Sequence, residues 1–252
     1  MCAELEEANR IYASQPYVEE KNRKLDGMYS FDMAKWRKFN NSLYLRLLCR
    51  ISGRKETIVD GTSNVAQKMA EIVSSPETYP IFEANEDNAT VHYTGIAPYT
   101  SEFDNASYTE SSFTTGSYKL TEQMIRMMVI KDATNTKVDL YTDPRLPIIG
   151  RKKREYWAGT IAGAAMGEES NNGDKNAAYL NYKVLCRNNC DEWFMDYAEV
   201  EFILAEAALK GLIPGGETVA KAHYEKAITA SLQKWSDFAS PVDPCLLYTS
   251  DA

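Results

Sequence analysis

The sequence predicts a mainly α fold in which pairs of helices carry a loop-rich insert. Apolar residues recur at helical spacing in residues 30–52, 64–73, 196–211 and 220–228. Between the second and third of these segments, residues 75–117 are rich in Ser, Thr, Asn and aromatic side chains and are interrupted by Pro and Gly. The helical segments therefore predict a scaffold, and we expect the function to be found in the loops.

Length and charge limit the classes of protein that fit. With 252 residues and 44% hydrophobic composition, the chain suits one large domain or two small ones. Its net charge of -8 argues against a nucleic-acid partner, because phosphate binding needs clustered Lys and Arg, and the cluster at residues 151–154 is too short to reverse this. Glu residues interrupt the longest apolar stretches, so no segment is predicted to span a bilayer.

The first predicted helix pair lies near the start of the chain. Asp32 is the expected N-cap of a helix over residues 30–52, which ends at Gly53. Its predicted buried face comprises Trp36, Phe39, Leu43, Leu47 and Ile51. The second helix, over residues 64–73, is expected to bury Val65, Met69, Ile72 and Val73.

The insert is expected to contain loops, short strands and one short helix. The loops and strands fall in residues 75–117, and the helix in residues 121–128. The Pro residues of segment 143–147 predict an exposed turn. Residues 156–167 are rich in Gly and Ala, but no Gly-Lys-Ser/Thr ending follows, so a nucleotide site is not predicted.

The second predicted pair is a helix hairpin near the end of the chain. Its first limb, in residues 196–211, is expected to bury Val200, Ile203, Leu204, Ala207 and Ala208. Its second limb is expected to bury Ala220, Tyr224, Ala227, Ile228 and Trp235. The Ala-x3-Tyr-x2-Ala spacing of the second limb is typical of the second helix of a tetratricopeptide repeat, in which small residues let two helices approach closely.

Both ends of the chain need separate interpretation. Residues 245–252 read as a translated sequencing adaptor, so we expect residues 1–244 to be one incomplete helical domain, truncated at both ends. Cys2 lacks the preceding apolar region of a lipoprotein signal. Cys186 and Cys190 have no nearby His, so a metal site is not predicted, nor is any other cofactor.

The sequence gives no positive sign of catalysis. Three glutamates, Glu199, Glu201 and Glu206, lie at helical positions. At such positions a solvated or capping role is more common than a role as one of the two facing catalytic acids of a glycosidase. His92 and His223 lie in different segments, and no Gly-x-Ser-x-Gly nucleophile motif accompanies them. We therefore predict that the protein is not an enzyme.

Aromatic residues in the predicted loops are the candidate ligand-binding residues. Aromatic rings stack on the C–H faces of sugars, while polar side chains bind the hydroxyl groups. Packing in a core beneath a loop is the commoner role for each such ring. The candidates are Trp157, Tyr156, Tyr99, Tyr93 and Tyr108, of which Tyr99 and Trp157 rank first.

Several motifs occur in one order and together resemble the SusD/RagB family, in its SusD-like branch. The motifs are Lys-Trp-x-x-Phe-x-Asn-Ser-Leu at residues 35–43, Asp-Pro-Arg-Leu at 143–146, Tyr156 with Gly159 and Gly163, Tyr-Ala-Glu-Val at 197–200, and Ala-Glu-Ala-Ala-x-x-Gly at 205–211. The resemblance covers most of residues 5–235. It implies a helical fold with tetratricopeptide-like pairs on one side and ligand-holding loops on the other.

The resemblance also implies a function. Members of this family are nutrient-binding lipoproteins of the outer membrane that pass an oligosaccharide or a peptide to a SusC-type TonB-dependent transporter, without chemistry. The lipidation signal of the family is not in this sequence. The alternative is a tetratricopeptide adaptor that grips a protein segment, but such an adaptor needs at least three contiguous helix pairs, and here a long insert separates the pairs.

Overall fold

The computed structural model of the chain describes residues 1–104, 106–115, 118–163 and 175–241. The segment read as an adaptor, residues 245–252, lies outside the described residues. The helices are α1 Cys2–Ala13, α2 Glu20–Arg23, α3 Met33–Arg50, α4 Val65–Ser74, α5 Glu110–Thr115, α6 Glu122–Met128, α7 Leu146–Ile149, α8 Tyr182–Leu185, α9 Tyr197–Leu209 and α10 Gly216–Ala239. The strands are β1 Ala89–Val91, β2 Val129–Lys131, β3 Asp139–Thr142, β4 Gly150–Arg151, β5 Tyr179–Leu180 and β6 Glu192–Met195.

Contacts divide the chain into two compact units. The first comprises Met1–His92 and Asp191–Ser231, and the second comprises the described residues of Tyr93–Cys190 together with residues 232–241. Helices dominate the described residues, and the strands form three antiparallel pairs, β1 with β6, β2 with β3, and β4 with β5. The prediction of a mainly α fold is confirmed. None of the described helices is both long and apolar enough to cross a membrane.

The first unit is built around α3. Its N-cap is Asp32, as predicted, since the carboxylate accepts hydrogen bonds from the backbone N–H groups of Ala34 and Lys35. The helix packs against α1, α4 and α9. It buries Asn40, Asn41, Ser42, Tyr44, Leu45 and Leu48.

The predicted face of α3 is therefore wrong in phase. Trp36, Phe39 and Leu43 are only partly buried, and Ile51 is exposed. Three polar side chains take the buried positions because each has a partner. Asn40 donates to the Leu5 carbonyl at 3.0 Å, Asn41 donates to the Pro80 carbonyl at 3.0 Å, and Ser42 accepts from the Phe82 N–H at 3.0 Å.

Helix α4 forms as predicted. Asn64 and Gln67 form a reciprocal capping box at its start, which satisfies two backbone N–H groups. Its buried residues include Val65, Met69 and Ile72, all of which were expected inside.

The hairpin of α9 and α10 is also present. Asp196 caps α9, and the five residues expected inside on this limb are all buried. At the other end Gly211 has a φ of 67°, and the N–H groups of Gly211 and Leu212 donate to the carbonyls of Ala208 and Ala207. This is the Schellman arrangement, which needs a left-handed residue and so favours glycine.

The second limb of the hairpin departs from the prediction most clearly at Tyr224, and Ile228 and Trp235 are only half-buried. Ala220 and Ala227 are buried as expected, but Tyr224 is 53% exposed. Its ring packs edge-on against Phe202 of α9, with the ring centroids 5.5 Å apart. The tyrosine thus covers the outside of the hairpin and does not wedge between its helices.

The second unit contains short elements joined by turns, as expected for the insert. Helix α6 is capped by Thr121. Helix α5 was not predicted. The turn predicted at residues 143–147 is not fully exposed, because Leu146 begins α7 and is completely buried. The core of this unit comprises Leu120, Ile125, Val129, Leu146, Trp157 and Ala178.

Candidate ligand-binding pocket

A pocket of about 500 Å³ lies within the second unit. This volume falls in the range of roughly 300 to 1,000 Å³ that is usual for small-ligand sites. The pocket combines two aromatic rings with two cationic side chains and a Thr hydroxyl. Its lining residues are Thr142, Pro147, Gly150, Arg151, Lys152, Trp157 and Tyr179.

Two antiparallel strand pairs position the lining. In the hairpin of β2 and β3, Asp132 accepts hydrogen bonds from the N–H groups of Thr134 and Asn135, which fixes the turn and brings Thr142 opposite Val129. In the other pair, β4 lies beside β5, with Arg151 opposite Tyr179. The two strand pairs bring together residues that are far apart in the sequence.

Gly150 is required where β4 approaches its neighbours. A Cβ atom at this position would lie 2.5 Å from Leu120 Cδ1 and 3.2 Å from the Tyr179 carbonyl oxygen. These distances are too short for a side chain without movement of the surrounding groups. Glycine therefore allows β4 to carry Arg151 to the edge of the pocket.

Trp157 forms one wall and belongs to the core. Its side chain is 2% exposed. Its backbone N–H donates to Asp139 Oδ2 at 3.0 Å, and its carbonyl accepts from Lys131 Nζ at 2.6 Å. The ammonium of Lys152 lies 5.5 Å from the centroid of the indole ring, within the range of a cation–π contact. The backbone of Trp157 is thus held by Asp139 and Lys131, and its indole ring carries the ammonium of Lys152.

Asp139 organises the charges behind this wall. Lys131 Nζ lies 2.7 Å from Asp139 Oδ1, and Lys152 Nζ lies 2.9 Å from Asp139 Oδ2. Burial would raise the pKa of Asp139, but hydrogen bonds from Lys131, from Lys152 and from the Trp157 N–H outweigh it and hold the pKa below its ordinary value. Asp139 therefore stays ionised and is shared between two ammonium groups.

Arg151 is held by a buried amide. Its Nε donates to Asn181 Oδ1 at 3.0 Å, and Asn181 Nδ2 donates to the Pro147 carbonyl at 3.0 Å. Asn181 is 1% exposed. Because both ends of the amide are used, its orientation is fixed, and the guanidinium at the pocket edge is positioned in turn.

Of the predicted site residues, the structure brings Trp157 and Tyr156 close to this pocket. Trp157 lines it, but as a buried wall and not as an exposed platform. Tyr156 is half-buried, and Lys131 Nζ lies 5.4 Å from the centroid of its ring. Both residues therefore contribute to the charge arrangement around Asp139.

Tyr99 and Tyr93 belong to a separate loop. The Tyr99 N–H donates to the Ile96 carbonyl at 2.9 Å, and the Ala97–Pro98 peptide is cis, which defines a type VI turn. The turn presents Tyr99, 67% exposed, beside the exposed Ile96. Tyr93 is half-buried. Tyr99 is thus the predicted residue with the most accessible ring.

Tyr108 lies in an aromatic cluster of the second unit. Its ring packs against Phe103, Phe113 and Tyr118 at centroid distances of 5.3 to 6.0 Å. A side-chain hydrogen bond with Tyr118 raises the pKa of Tyr108. The Tyr182 hydroxyl donates to the Tyr108 carbonyl at 3.2 Å. Tyr108 is therefore a half-buried member of an aromatic cluster.

The three glutamates of α9 all have partners. Glu199 forms a two-point ion pair with Arg46 of α3, and Glu206 pairs with Lys210. Glu201 is 5% exposed and lies 2.6 Å from His223 Nδ1. The expectation of a solvated role is wrong for Glu201. The contacts of Glu199 and Glu201 join α9 to α3 and α10, and that of Glu206 links the last turn of α9 to its C-cap residue, so the three glutamates have structural roles.

Of the described lining residues, only Trp157 was among the predicted candidates, and the other six, which include Arg151, Lys152 and Tyr179, were not. Arg151 and Lys152 belong to a cationic run at residues 151–154, which is visible in the sequence. Such a run by itself suggests a nucleic-acid contact and not a pocket for a small ligand. Tyr179 had no such signal, because its place depends on the pairing of β5 with β4.

Comparison with solved structures finds several chains of similar fold. Similar chains are an outer-membrane nutrient-binding candidate from Bacteroides vulgatus (TM-score 0.70, 21% identity, 100% of this chain and 55% of that one) and a SusD homologue from Bacteroides fragilis (0.70, 24%, 97% and 50%). A chitin-binding SusD homologue from Flavobacterium johnsoniae is also similar (0.58, 21%, 93% and 42%). The chain spans about half the length of these proteins or less.

Comparison at the level of sequence gives the family. No curated protein matches the sequence. A family model described as SusD-like, starch-binding and associating with the outer membrane matches residues 1–244. The helical fold, the motifs in their order and this match over nearly the whole chain agree, and the chain belongs to the SusD-like family.

Proposed function

We propose that the protein is a non-catalytic carbohydrate-binding component of nutrient uptake at the outer membrane. The match of residues 1–244 to a family described as starch-binding and associated with the outer membrane carries this proposal. A chitin-binding protein of the same fold supports it. The proposal concerns the whole protein, because the similar solved structures are about twice as long as this chain.

The pocket supports a carbohydrate ligand through its chemistry. Tyr179 supplies flat apolar surface for the C–H face of a sugar ring, and the buried Trp157 forms one wall beside it. Arg151, Lys152 and Thr142 supply hydrogen-bond donors around that surface. Aromatic surface beside a few placed polar groups is the usual composition of a small-ligand site.

We assign the predicted aromatic residues different roles in binding. Trp157 is proposed as the wall of the pocket, and Tyr156 as a support of the nearby cations. Tyr99 is proposed as a second contact point for a longer glycan, because its ring is exposed. Tyr93 and Tyr108 are the weakest candidates, since Tyr93 is half-buried and Tyr108 packs in an aromatic cluster.

Delivery of the ligand to a SusC-type TonB-dependent transporter, and anchoring of the protein by a lipid, are proposed from family membership alone. Co-purification of the tagged full-length protein with a SusC-type transporter of the same organism tests the partnership. Recovery of the full-length protein without a transporter from membranes that contain both would contradict it.

The alternative of a tetratricopeptide adaptor is less well supported. The helices of the first unit come from Met1–His92 and Asp191–Ser231, and the second unit occupies the sequence between them. An adaptor of that class needs at least three consecutive helix pairs to form its groove.

Calorimetric titration of the chain against soluble starch, chitin oligosaccharides and a peptide mixture tests the binding function. We expect saturable binding of a saccharide, and a loss of about five- to 150-fold in affinity in Tyr179→Ala, the scale of the roughly 1 to 3 kcal/mol that stacking of a nucleic-acid base on one aromatic ring contributes. The matched control is Tyr17→Ala, whose ring is 87% exposed in the first unit.

Two results would contradict the proposal. One is release of reducing ends from any bound glycan, because it would make the protein an enzyme. The other is binding of peptides with no binding of saccharides.

A further inference from the structure

Tyr179 lies at the centre of a row of three cross-strand neighbours in the second unit. It pairs with Arg151 of β4 on one side and with Lys119 on the other, both in antiparallel register. The backbone maintains this register, since the Leu180 N–H donates to the Tyr118 carbonyl at 3.0 Å. Lys119 is therefore a direct neighbour of the ring proposed above to stack on a sugar.

Alternation along the chain separates this row from the core. Leu120 and Ala178, which adjoin Lys119 and Tyr179 in the sequence, belong to the core of the second unit. Successive side chains of an extended segment project to opposite faces, so Lys119 and Tyr179 share the other face. On that face Tyr179 lines the pocket.

The ammonium of Lys119 is held between a backbone carbonyl and the tyrosine ring. Its Nζ donates to the carbonyl of Thr114, near the end of α5, at 2.8 Å. The same Nζ lies 5.8 Å from the centroid of the Tyr179 ring, within the range of a cation–π contact. Lys119 is not among the described residues that line the pocket. The ammonium therefore meets the ring from outside the lining.

A ring that is fixed before the ligand arrives binds more tightly than a mobile one. If the side chain of Tyr179 sampled several rotamers, only part of the population would present its ring for stacking, and the apparent affinity would fall by that fraction. A cation–π contact at a partly exposed site favours one ring position by a factor of about two to five.

Resting on the carbohydrate-binding function proposed above, we infer that Lys119 is a positioning residue of the pocket. It holds the ring of Tyr179 from outside the lining, in the orientation that stacks on a sugar. Its effect on the ligand passes through Tyr179 and needs no contact between Lys119 and the sugar.

Calorimetric titration of the chain with maltotriose and with chitotriose tests this role. In Lys119→Met, which keeps a long side chain and removes its charge, we expect the affinity for the bound trimer to fall about two- to fivefold. In Lys119→Arg, which keeps a cation beside the ring, we expect affinity close to that of the wild type. The matched control is Lys137→Met, at an exposed lysine of the second unit, which should leave affinity unchanged.

NMR relaxation of a single isotope-labelled tyrosine ring at position 179 distinguishes positioning from a general loss of structure. We expect this ring to be more mobile on the picosecond to nanosecond timescale in Lys119→Met than in the wild type, and to regain its order in Lys119→Arg. Lys119→Gln takes the place of Lys119→Met in both measurements if the latter does not fold.

Three results would overturn the inference while saccharide binding by the wild type stands. The first is unchanged affinity in Lys119→Met. The second is an equal loss of affinity in Lys119→Met and Lys119→Arg, and the third is a loss of affinity without any change in the mobility of the Tyr179 ring. If the wild type binds neither trimer, the inference fails together with the proposed function.

Discussion

At the residue scale, Lys68 is the most constrained charge of the first unit. Its side chain is 4% exposed, and its ammonium lies 2.9 Å from Glu6, 2.7 Å from Asp60 and 2.7 Å from Glu71. Burial would lower the pKa of Lys68, but its hydrogen bonds to these carboxylates hold the pKa above its ordinary value. The cluster joins α1, the loop before α4, and α4 itself.

Replacement of this cation should destabilise the first unit strongly. In Lys68→Met the carboxylate of Asp60, whose side chain is 10% exposed, loses its partner. We expect the free energy of unfolding to fall by about 3 kcal/mol, which is the low end of the cost of breaking a buried ion pair. The low end applies because Glu71, another partner of Lys68, is 43% exposed. Urea denaturation measures the change. The control is Lys21→Met, because the side chain of Lys21 is 76% exposed. A similarly small loss of stability in both variants would refute the expectation.

The same cluster should make the free energy of unfolding depend on pH in the acidic range. Burial would raise the pKa of Asp60, but hydrogen bonds from Lys68 and from the N–H groups of Ser63 and Thr62 lower it well below 3.8. A carboxyl whose pKa is lower in the folded state stabilises the protein above its ordinary pKa, and this contribution is lost as the pH falls below that value.

Asp60→Asn tests this dependence. Between pH 5 and pH 2.5 we expect the free energy of unfolding of the variant to fall less steeply than that of the wild type, because the variant has no such carboxyl to protonate. Urea denaturation across this range measures the slope. The control is Glu4→Gln, which should keep the wild-type slope because the side chain of Glu4 is 82% exposed. Parallel profiles for Asp60→Asn and the wild type would show that Asp60 does not contribute to the pH dependence of stability.

At the scale of elements, the ends of the helices carry the local information. Side chains of Asp32, Asn64, Thr121 and Asp196 each accept a hydrogen bond from a backbone N–H at the start of a helix. Each satisfies a group that has no partner within the helix. The C-terminal end of α9 depends in turn on the left-handed backbone of Gly211.

Gly211→Ala should therefore cost stability through the backbone alone. A Cβ atom would meet no heavy atom within 4 Å, so steric crowding is excluded as a cause. We expect a loss of about 1 kcal/mol, the cost of a left-handed conformation for a residue with a Cβ. Gly53→Ala is the matched control, since its Cβ position is also open and its φ is not left-handed. Equal losses in urea denaturation would contradict this explanation.

At the scale of the whole molecule, each unit has its own buried cluster. Leu48 belongs to the core of the first unit and Leu146 to that of the second, and both are completely buried. Since each cluster is made of residues from one unit, each unit is expected to keep its own stability.

Core truncations in the two units should have separate effects. We expect Leu48→Ala to lower hydrogen-exchange protection in the first unit, and Leu146→Ala to lower it in the second, each by about 2 to 5 kcal/mol. Native-state hydrogen exchange followed by mass spectrometry resolves the two. If either variant lowers protection equally in both units, the chain unfolds as one cooperative unit and the expectation is wrong.

The sequence by itself determined helices α3, α4, α6 and α9, the N-cap Asp32 and the family. Capping and helical periodicity join residues three or four positions apart, so they can be read from neighbouring residues. For this reason α3, α4, α6 and α9 lie close to their predicted positions. The ordered motifs likewise indicated the SusD-like family that the match over residues 1–244 confirms.

Only the tertiary structure decided which faces are buried and where the pocket lies. Asn41 is buried in α3 because the Pro80 carbonyl, 39 residues away, accepts its hydrogen bond, and no local pattern contains that partner. Arg151 and Tyr179 meet for the same reason, through the pairing of two strands distant in the chain. Polar groups are buried where distant partners satisfy them, and such partners exist only once the chain has folded.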